Sequence, residues 1–167
     1  PVEAINFTSD IYLLGAILYE IIGGKPPHSG RDVMQCLMNA AQNQIDGIRY
    51  EGELKTIALR AMATRQEDRY ASVKDLQDAI RVYQSHSESL VLTAHANLNL
   101  QKARENGDYQ LYARALYGFQ ESLNLWDNNH RARTLLAETQ RDYAKAAMAK
   151  GDLDLAASLL QADNPEQ

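Results

Sequence analysis

The segment SDIYLLGAILYEIIGGKPPHSG, residues 9–30, places the tightest constraint on the fold. From Ile11 to Ile22 only Gly15 and Glu20 interrupt the apolar residues, so a helix there has no polar face to turn toward water. A helix apolar all round belongs inside a larger body. A bilayer is not that body, because 12 residues that include a carboxylate fall well short of the roughly 20 apolar residues a span requires. Nor does the start read as a secretory leader, since Glu3 and Asp10 stand where positive charge would be expected. No membrane segment is expected and the chain reads as cytoplasmic. The single cysteine, Cys36, permits no internal disulfide and fits a reducing compartment.

Composition narrows the function classes. With 45% hydrophobic and 23% charged residues over 167 positions, the chain is an ordinary globular sequence of one or two domains. The net charge of −5 comes from scattered acids and bases, leaving no basic stripe to neutralise a nucleic-acid backbone. His28, His86, His95 and His130 are too far apart to share a helical turn, and one cysteine cannot supply zinc-ligand spacing, so no metal site is expected. GGKPP holds a Gly-Lys pair, but Tyr19 and Pro26 occupy the positions where a phosphate-cradling loop needs glycine and Ser or Thr.

Period-two alternation never persists, so the fold class is all-α. A first helix starts after Ser9 or Asp10 as cap and ends at Gly23-Gly24 before Pro26-Pro27. A second runs from about Arg31 to Asn43, capped by Ser29, with Val33, Leu37, Met38 and Ala41 on one side. A third covers about Glu53 to Ala63, with Leu54, Ile57, Ala58, Ala61 and Met62 at helical spacing. The fourth begins at Ser72, with Asp75 completing an acidic variant of the capping box and Val73, Leu76, Ile80 and Tyr83 as its apolar set. After QSHSES the texture shifts to alanine, leucine, asparagine and glutamine, and prolines vanish until Pro165. A domain boundary is expected at residues 84–89, giving domains 1–85 and 86–167. In the second half, two segments each place a long helix before a Gly-Asp turn, at Gly107-Asp108 and Gly151-Asp152, and a further helix after it. That is internal repetition.

The opening segment resembles the large lobe of bacterial Hanks-type serine/threonine protein kinases, where a Ser-Asp pair, an aromatic, a Leu-Gly and a Leu-Tyr-Glu begin the buried central helix. LKTIALRAMATRQEDRYASVKDLQDAI, residues 54–80, resembles the last subdomain of that fold. The resemblance implies the last four helices of a large lobe over residues 1–85. It matches Asp10 to the aspartate that holds the catalytic-loop backbone, and Tyr12, Gly15, Ile17 and Ile21 to positions where internal hydrophobic columns pack on the central helix. It matches Arg69 to the arginine that pairs with a glutamate at the end of the activation segment. The sequence departs from the family at Gln66, where proline is usual, and matches only loosely over residues 25–52.

Phosphoryl transfer requires a glycine-rich loop, a lysine paired with a helix glutamate, a catalytic-loop aspartate with its downstream asparagine, and a metal-binding Asp-Phe-Gly turn. These 167 residues hold none of them. No catalytic, cofactor or metal residue is therefore expected here, and ATP with Mg²⁺ is implied only for a parent kinase. Because the sequence starts at Pro1 and takes up the fold downstream of the activation segment, it reads as a fragment of a longer kinase. A kinase-derived helical scaffold that serves only in binding is the alternative.

The second half resembles tetratricopeptide-type repeats, built from antiparallel helical hairpins. GDYQLYARALYGFQESLNLWDNN, residues 107–129, carries the Gly-Asp-Tyr turn, Ala115, Phe119, Leu123 and a closing Asp-Asn-Asn, with about three extra residues between the turn and Ala115. Tyr143, Ala144, Gly151 and Ala156 take matching places in the next unit. This resemblance implies a protein partner bound through the repeats.

Within this chain alone, Asp10 reads as a helix cap, and Arg69 as a solvated arginine or one paired with Glu67 or Asp68. Trp126 and the nearby tyrosines read as packing rather than a ligand platform, and Glu105, Asp108, Asp152 and Asp154 as solvated. With no catalytic loop over it, the apolar run 11–22 should be covered by the repeat half folding back or by a second copy in a homodimer.

Overall fold

The computed structural model describes residues 6–161; Pro1, Glu3 and Pro165 lie outside them. Among the described residues there are seven α-helices and no strand. The chain forms two compact units, Pro1–Tyr83 and Gln84–Gln167.

In the first unit, α1 (Phe7–Gly23) is capped by Asn6, whose side chain accepts from the Thr8 N–H at 2.9 Å. The Asn6 N–H in turn donates to Ser9 Oγ, closing a capping box. This corrects the expected cap. Ser9 is the third helical residue, and Asp10 is an exposed carboxylate in the first turn, where it complements the helix dipole. The far end follows expectation: Gly24 adopts φ +70°, returns its N–H to Glu20 O at 2.8 Å, and is followed by the two prolines.

The buried residues of α1 are Thr8, Ile11, Gly15 and Tyr19, a stripe that meets α3 (Glu53–Ala61). Gly15 sets how closely the two helices approach. A Cβ there would stand 2.6 Å from Ala61 Cβ and 3.0 Å from Ala58 O. Around this contact two clusters form the core. Ile11 packs with Ile57, Ala61, Tyr70 and Leu76, while Tyr19 packs with Ile48, Ala58 and Met62. The opposite side of α1 departs from the all-round burial the sequence demanded. Leu13, Leu14, Ile17 and Ile21 are 59%, 40%, 55% and 72% exposed. Among the described residues of their own unit, α1 is buried on one side only.

α2 is shorter than expected, Val33–Ala41, and its cap is Asp32, which accepts from Gln35 N–H at 2.8 Å. Ser29, the expected cap, donates its hydroxyl to the Asp46 carboxylate instead. None of the α2 residues is buried, so Val33, Met34, Leu37 and Met38 form an exposed apolar face rather than a core stripe. Asn43, at φ +51°, turns the chain out of this helix. α3 is followed by the tight turn Gln66–Asp68 and then by α4 (Val73–Asn106), where Ser72 Oγ accepts from the Asp75 N–H at 3.1 Å as its sequence suggested. α4 passes through residues 84–89 without a break. No glycine or proline interrupts it there, and Ser85 and Ser89 donate their hydroxyls to the carbonyls of Leu125 and Ser122, both at 2.7 Å.

The second unit continues with α5 (Tyr109–Leu125), α6 (His130–Ala149) and α7 (Leu153–Gln161). Gly107 at φ +67° and Gly151 at φ +83° make the two sharp reversals, each followed by an aspartate whose carboxylate caps the next helix. Ser85 and Ser89 of α4 bond to Leu125 and Ser122 of α5, and Ala96 meets Gly118, so the two helices run antiparallel. A Cβ at Gly118 would stand 2.8 Å from Ala96 Cβ. Ala96, Leu100, Ala103, Tyr112, Ala115, Phe119, Ala132 and Tyr143 make one core, and Ala144, Ala147 and Ala156 join α6 to α7. One buried polar cluster crosses this core. Asn129 caps α6 through the Ala132 N–H at 3.1 Å and donates to Ser89 Oγ at 2.8 Å and Thr93 Oγ1 at 2.9 Å.

Candidate functional site

Two surfaces of the first unit gather the residues singled out from sequence. The first is an open cleft of about 380 Å³ lined by Ser9, Tyr12 and Leu13 of α1, Ala40, Ala41 and Asn43 at the end of α2, and Thr64, Gln66 and Arg69. Arg69 is neither solvated nor paired with Glu67 or Asp68. It is half-buried and donates from Nε to Ala63 O at 2.8 Å and from a terminal nitrogen to Thr8 O at 2.9 Å. Those bonds tie the start of α1 to the turn after α3. The partner of Glu67 is Arg65, at 2.6 Å.

The Arg69 guanidinium also lies over the Tyr12 ring, 4.9 Å from its centroid. Burial pushes the Tyr12 phenol above the ordinary tyrosine value, while the Arg69 charge acts in the opposite direction. The phenol donates to Asn43 Oδ1 at 2.7 Å and lies 2.6 Å from His28 Nε2. Asn43 spends both amide protons on Met62 O, at 2.8 Å, and Thr64 Oγ1, at 2.9 Å. Tyr12 and Arg69, 57 positions apart in sequence, therefore meet. Asp10 is exposed on the same helix. Asn43 and His28 were missed from sequence. The one available signal was the asparagine closing a helix, a residue type that tolerates the left-handed backbone.

The second surface is an apolar groove of about 310 Å³ between α1 and the start of α4, lined by Leu14, Ile17, Leu18, Ile21, Val73, Leu76, Gln77 and Ile80. It brings Ile17 and Ile21 together, both exposed in this chain. Gly15 lies on the opposite, α3-facing side and is buried there.

In the second unit, Arg104 reaches Asp142 at 2.7 Å and Glu138 at 3.0 Å. Partial burial works against its charge, and the two carboxylates together outweigh this and hold its pKa above the ordinary arginine value. Trp126 packs against His86 with centroids 4.6 Å apart and the rings tilted by 31°. Among the described residues no three His, Cys, Asp or Glu side chains gather as metal ligands, and no helix is long and apolar enough to cross a membrane.

Part of the chain is similar to known kinases. It is 31% identical over 87 residues to the serine/threonine-protein kinase PknB of Mycobacterium tuberculosis, a match that covers 48% of this chain and 14% of the relative. The corresponding kinase of Mycobacterium leprae is 33% identical over 87 residues, with the same coverage. That of Mycolicibacterium smegmatis is 30% identical over 91 residues, covering 51% of this chain and 15% of the relative. The chain thus spans about one seventh of the length of the curated relatives it matches. No family model matches it, and no solved structure matches it significantly.

Proposed function

We propose that residues 1–85 are the closing, non-catalytic part of a serine/threonine protein-kinase large lobe, and that residues 86–167 are a repeat-like helical extension that binds a protein partner. The observation that carries this reading is the similarity to PknB kinases over about half the chain; α1, which the reading makes a buried central helix, is buried on one side only. One side is cemented to α3 through Gly15, and the other presents Leu13, Leu14, Ile17 and Ile21 to water. Burying one such side chain is worth roughly 1.5–3 kcal/mol, so a face carrying four of them is built to be covered. Further kinase-lobe residues provide that cover in a parent enzyme, and a second copy of the chain provides it when these 167 residues stand alone. The similarity to PknB kinases over about half the chain supports the same reading.

Phosphoryl transfer runs on positioning and charge stabilisation by groups that these 167 residues do not contain. The chain by itself therefore neither binds nor hydrolyses nucleotide. The test is thermal unfolding with and without Mg-ATP, since a ligand at a hundred times its dissociation constant adds about 2.7 kcal/mol. The expected result is superimposable melts. A reproducible rise in melting temperature with ATP concentration would refute the non-catalytic assignment.

A further inference from the structure

A third cavity, at the C-terminal end of α1, differs from the cleft and the groove in its charge. It measures about 350 Å³ and is lined by Ile22, Gly23 and Lys25 from the end of α1 and by residues 47–50. Both walls are held in place. Gly24 in the left-handed region and Pro26 restrict the backbone on either side of Lys25. In the other wall, the Asp46 N–H donates to Pro27 O at 2.8 Å, the Tyr19 hydroxyl donates to Asp46 O at 2.8 Å, and Ile48 packs on Gly23.

Two cations line this cavity, Lys25 and Arg49, and no carboxylate does. Among the described residues neither cation has an ion pair or a hydrogen bond. Arg104, which lines a cleft in the second unit, is by contrast held by Asp142 and Glu138. The Asp46 carboxylate, one residue before the lining, is engaged by Ser29 instead. The backbone adds donors. The N–H groups of Gly47, Ile48 and Arg49 have no acceptor among the described residues, although Ile48 is only 8% exposed. Buried backbone N–H groups are nearly always paired, so this run of unspent donors calls for an acceptor. A Cβ added at Gly47 would meet nothing within 4 Å, which leaves open space over that backbone.

We propose that this cavity binds a phosphate group, free or as a small monoester, with Lys25 as a point charge, Arg49 as a forked donor and the 47–49 N–H groups completing the shell. Near pH 7 a phosphate monoester carries about −1.5 to −2 charge and three strong acceptor oxygens, which matches two cations and a run of donors. The C-terminal end of α1 presents roughly half a negative charge and opposes any anion, but two full positive charges outweigh it. Magnesium is held through carboxylates, and the lining has none, so the site takes the metal-free anion rather than a magnesium nucleotide. The site does not depend on kinase kinship, and melts with Mg-ATP stay superimposable whether or not phosphate binds here.

The experiment is an amide proton–nitrogen NMR titration of the full chain with inorganic phosphate at constant ionic strength and about pH 7.5, where the dianion predominates. The signals of Gly47, Ile48 and Arg49 should move and saturate. Lys25→Gln and Arg49→Gln should each weaken binding about tenfold or more, the worth of one hydrogen bond to a charged group, and Arg49→Lys should lose less than Arg49→Gln. Both positions are exposed, so the variants keep the fold. A second titration with blocked phosphoserine separates the two sources: tighter binding than phosphate assigns the site to a phosphorylated side chain, weaker binding to free phosphate. Shifts that grow without saturating, that persist unchanged in the Lys25→Gln/Arg49→Gln double variant, or that acetate saturates equally well would overturn the proposal.

Discussion

At the scale of single residues, Gly15 and the tyrosines carry the sharpest consequences. Gly15 is the point where α1 and α3 touch, and a methyl group there would meet Ala61 Cβ at 2.6 Å and the Ala58 carbonyl at 3.0 Å. Backbone cannot yield as a flexible side chain would, so Gly15→Ala should destabilise by about 1–3 kcal/mol, the usual range for overpacking. Chemical denaturation of the variant checks this, and an unchanged midpoint would show that the helices can separate freely. The tyrosines set the alkaline limit. Burial holds the phenols of Tyr12, Tyr70, Tyr112 and Tyr143 above the ordinary value near 10. A raised folded-state pKa contributes stability that is fully present below the unfolded value and is lost as pH rises through the folded one. The chain should therefore unfold as pH climbs beyond about 10, with these phenols ionising only as helix is lost. Simultaneous absorbance and circular-dichroism titration reads both. Reversible ionisation of all nine tyrosines with the helix signal intact would contradict it.

At the scale of elements, the sequence was legible where local chemistry decides and misleading where long-range partners do. The stop at Gly24, the Ser72 start of α4 and the Gly107 and Gly151 reversals all rest on backbone requirements that few residues meet. The cap of α1 was displaced by three or four positions because Asn6, Ser9 and Asp10 all qualify, and only the geometry chose Asn6. The apolar side read for α2 is present, but Val33, Met34, Leu37 and Met38 on it are exposed, since periodicity cannot say whether a neighbour is present to cover the stripe. The Arg69–Tyr12–Asn43–His28 cluster was invisible because its members are scattered over four segments. In the second unit, Asn129 looked like part of a turn but joins α6 to α4. Asn129→Ala removes a helix cap and strands Ser89 and Thr93, so it should cost at least the 0.5–2 kcal/mol of a lost cap. A calorimetric melt that matched the unaltered chain would show that water replaces the amide without penalty.

At the scale of the whole molecule, the chain presents apolar surface that its described residues leave open. The outer side of α1 and the adjoining groove to α4 hold Leu14, Ile17, Ile21 and Val73 in contact with solvent. On the proposed reading this contiguous exposed apolar surface is the place where a second copy sits. The α1 face is where the sequence resemblance and the exposed apolar geometry meet. Sedimentation velocity of the unaltered chain and of Ile17→Glu/Ile21→Glu, across a range of concentrations, tests this most directly. The account predicts concentration-dependent self-association of the unaltered chain and a monomer of equal melting temperature for the variant. A strictly monomeric unaltered chain, indistinguishable from the variant, would contradict it.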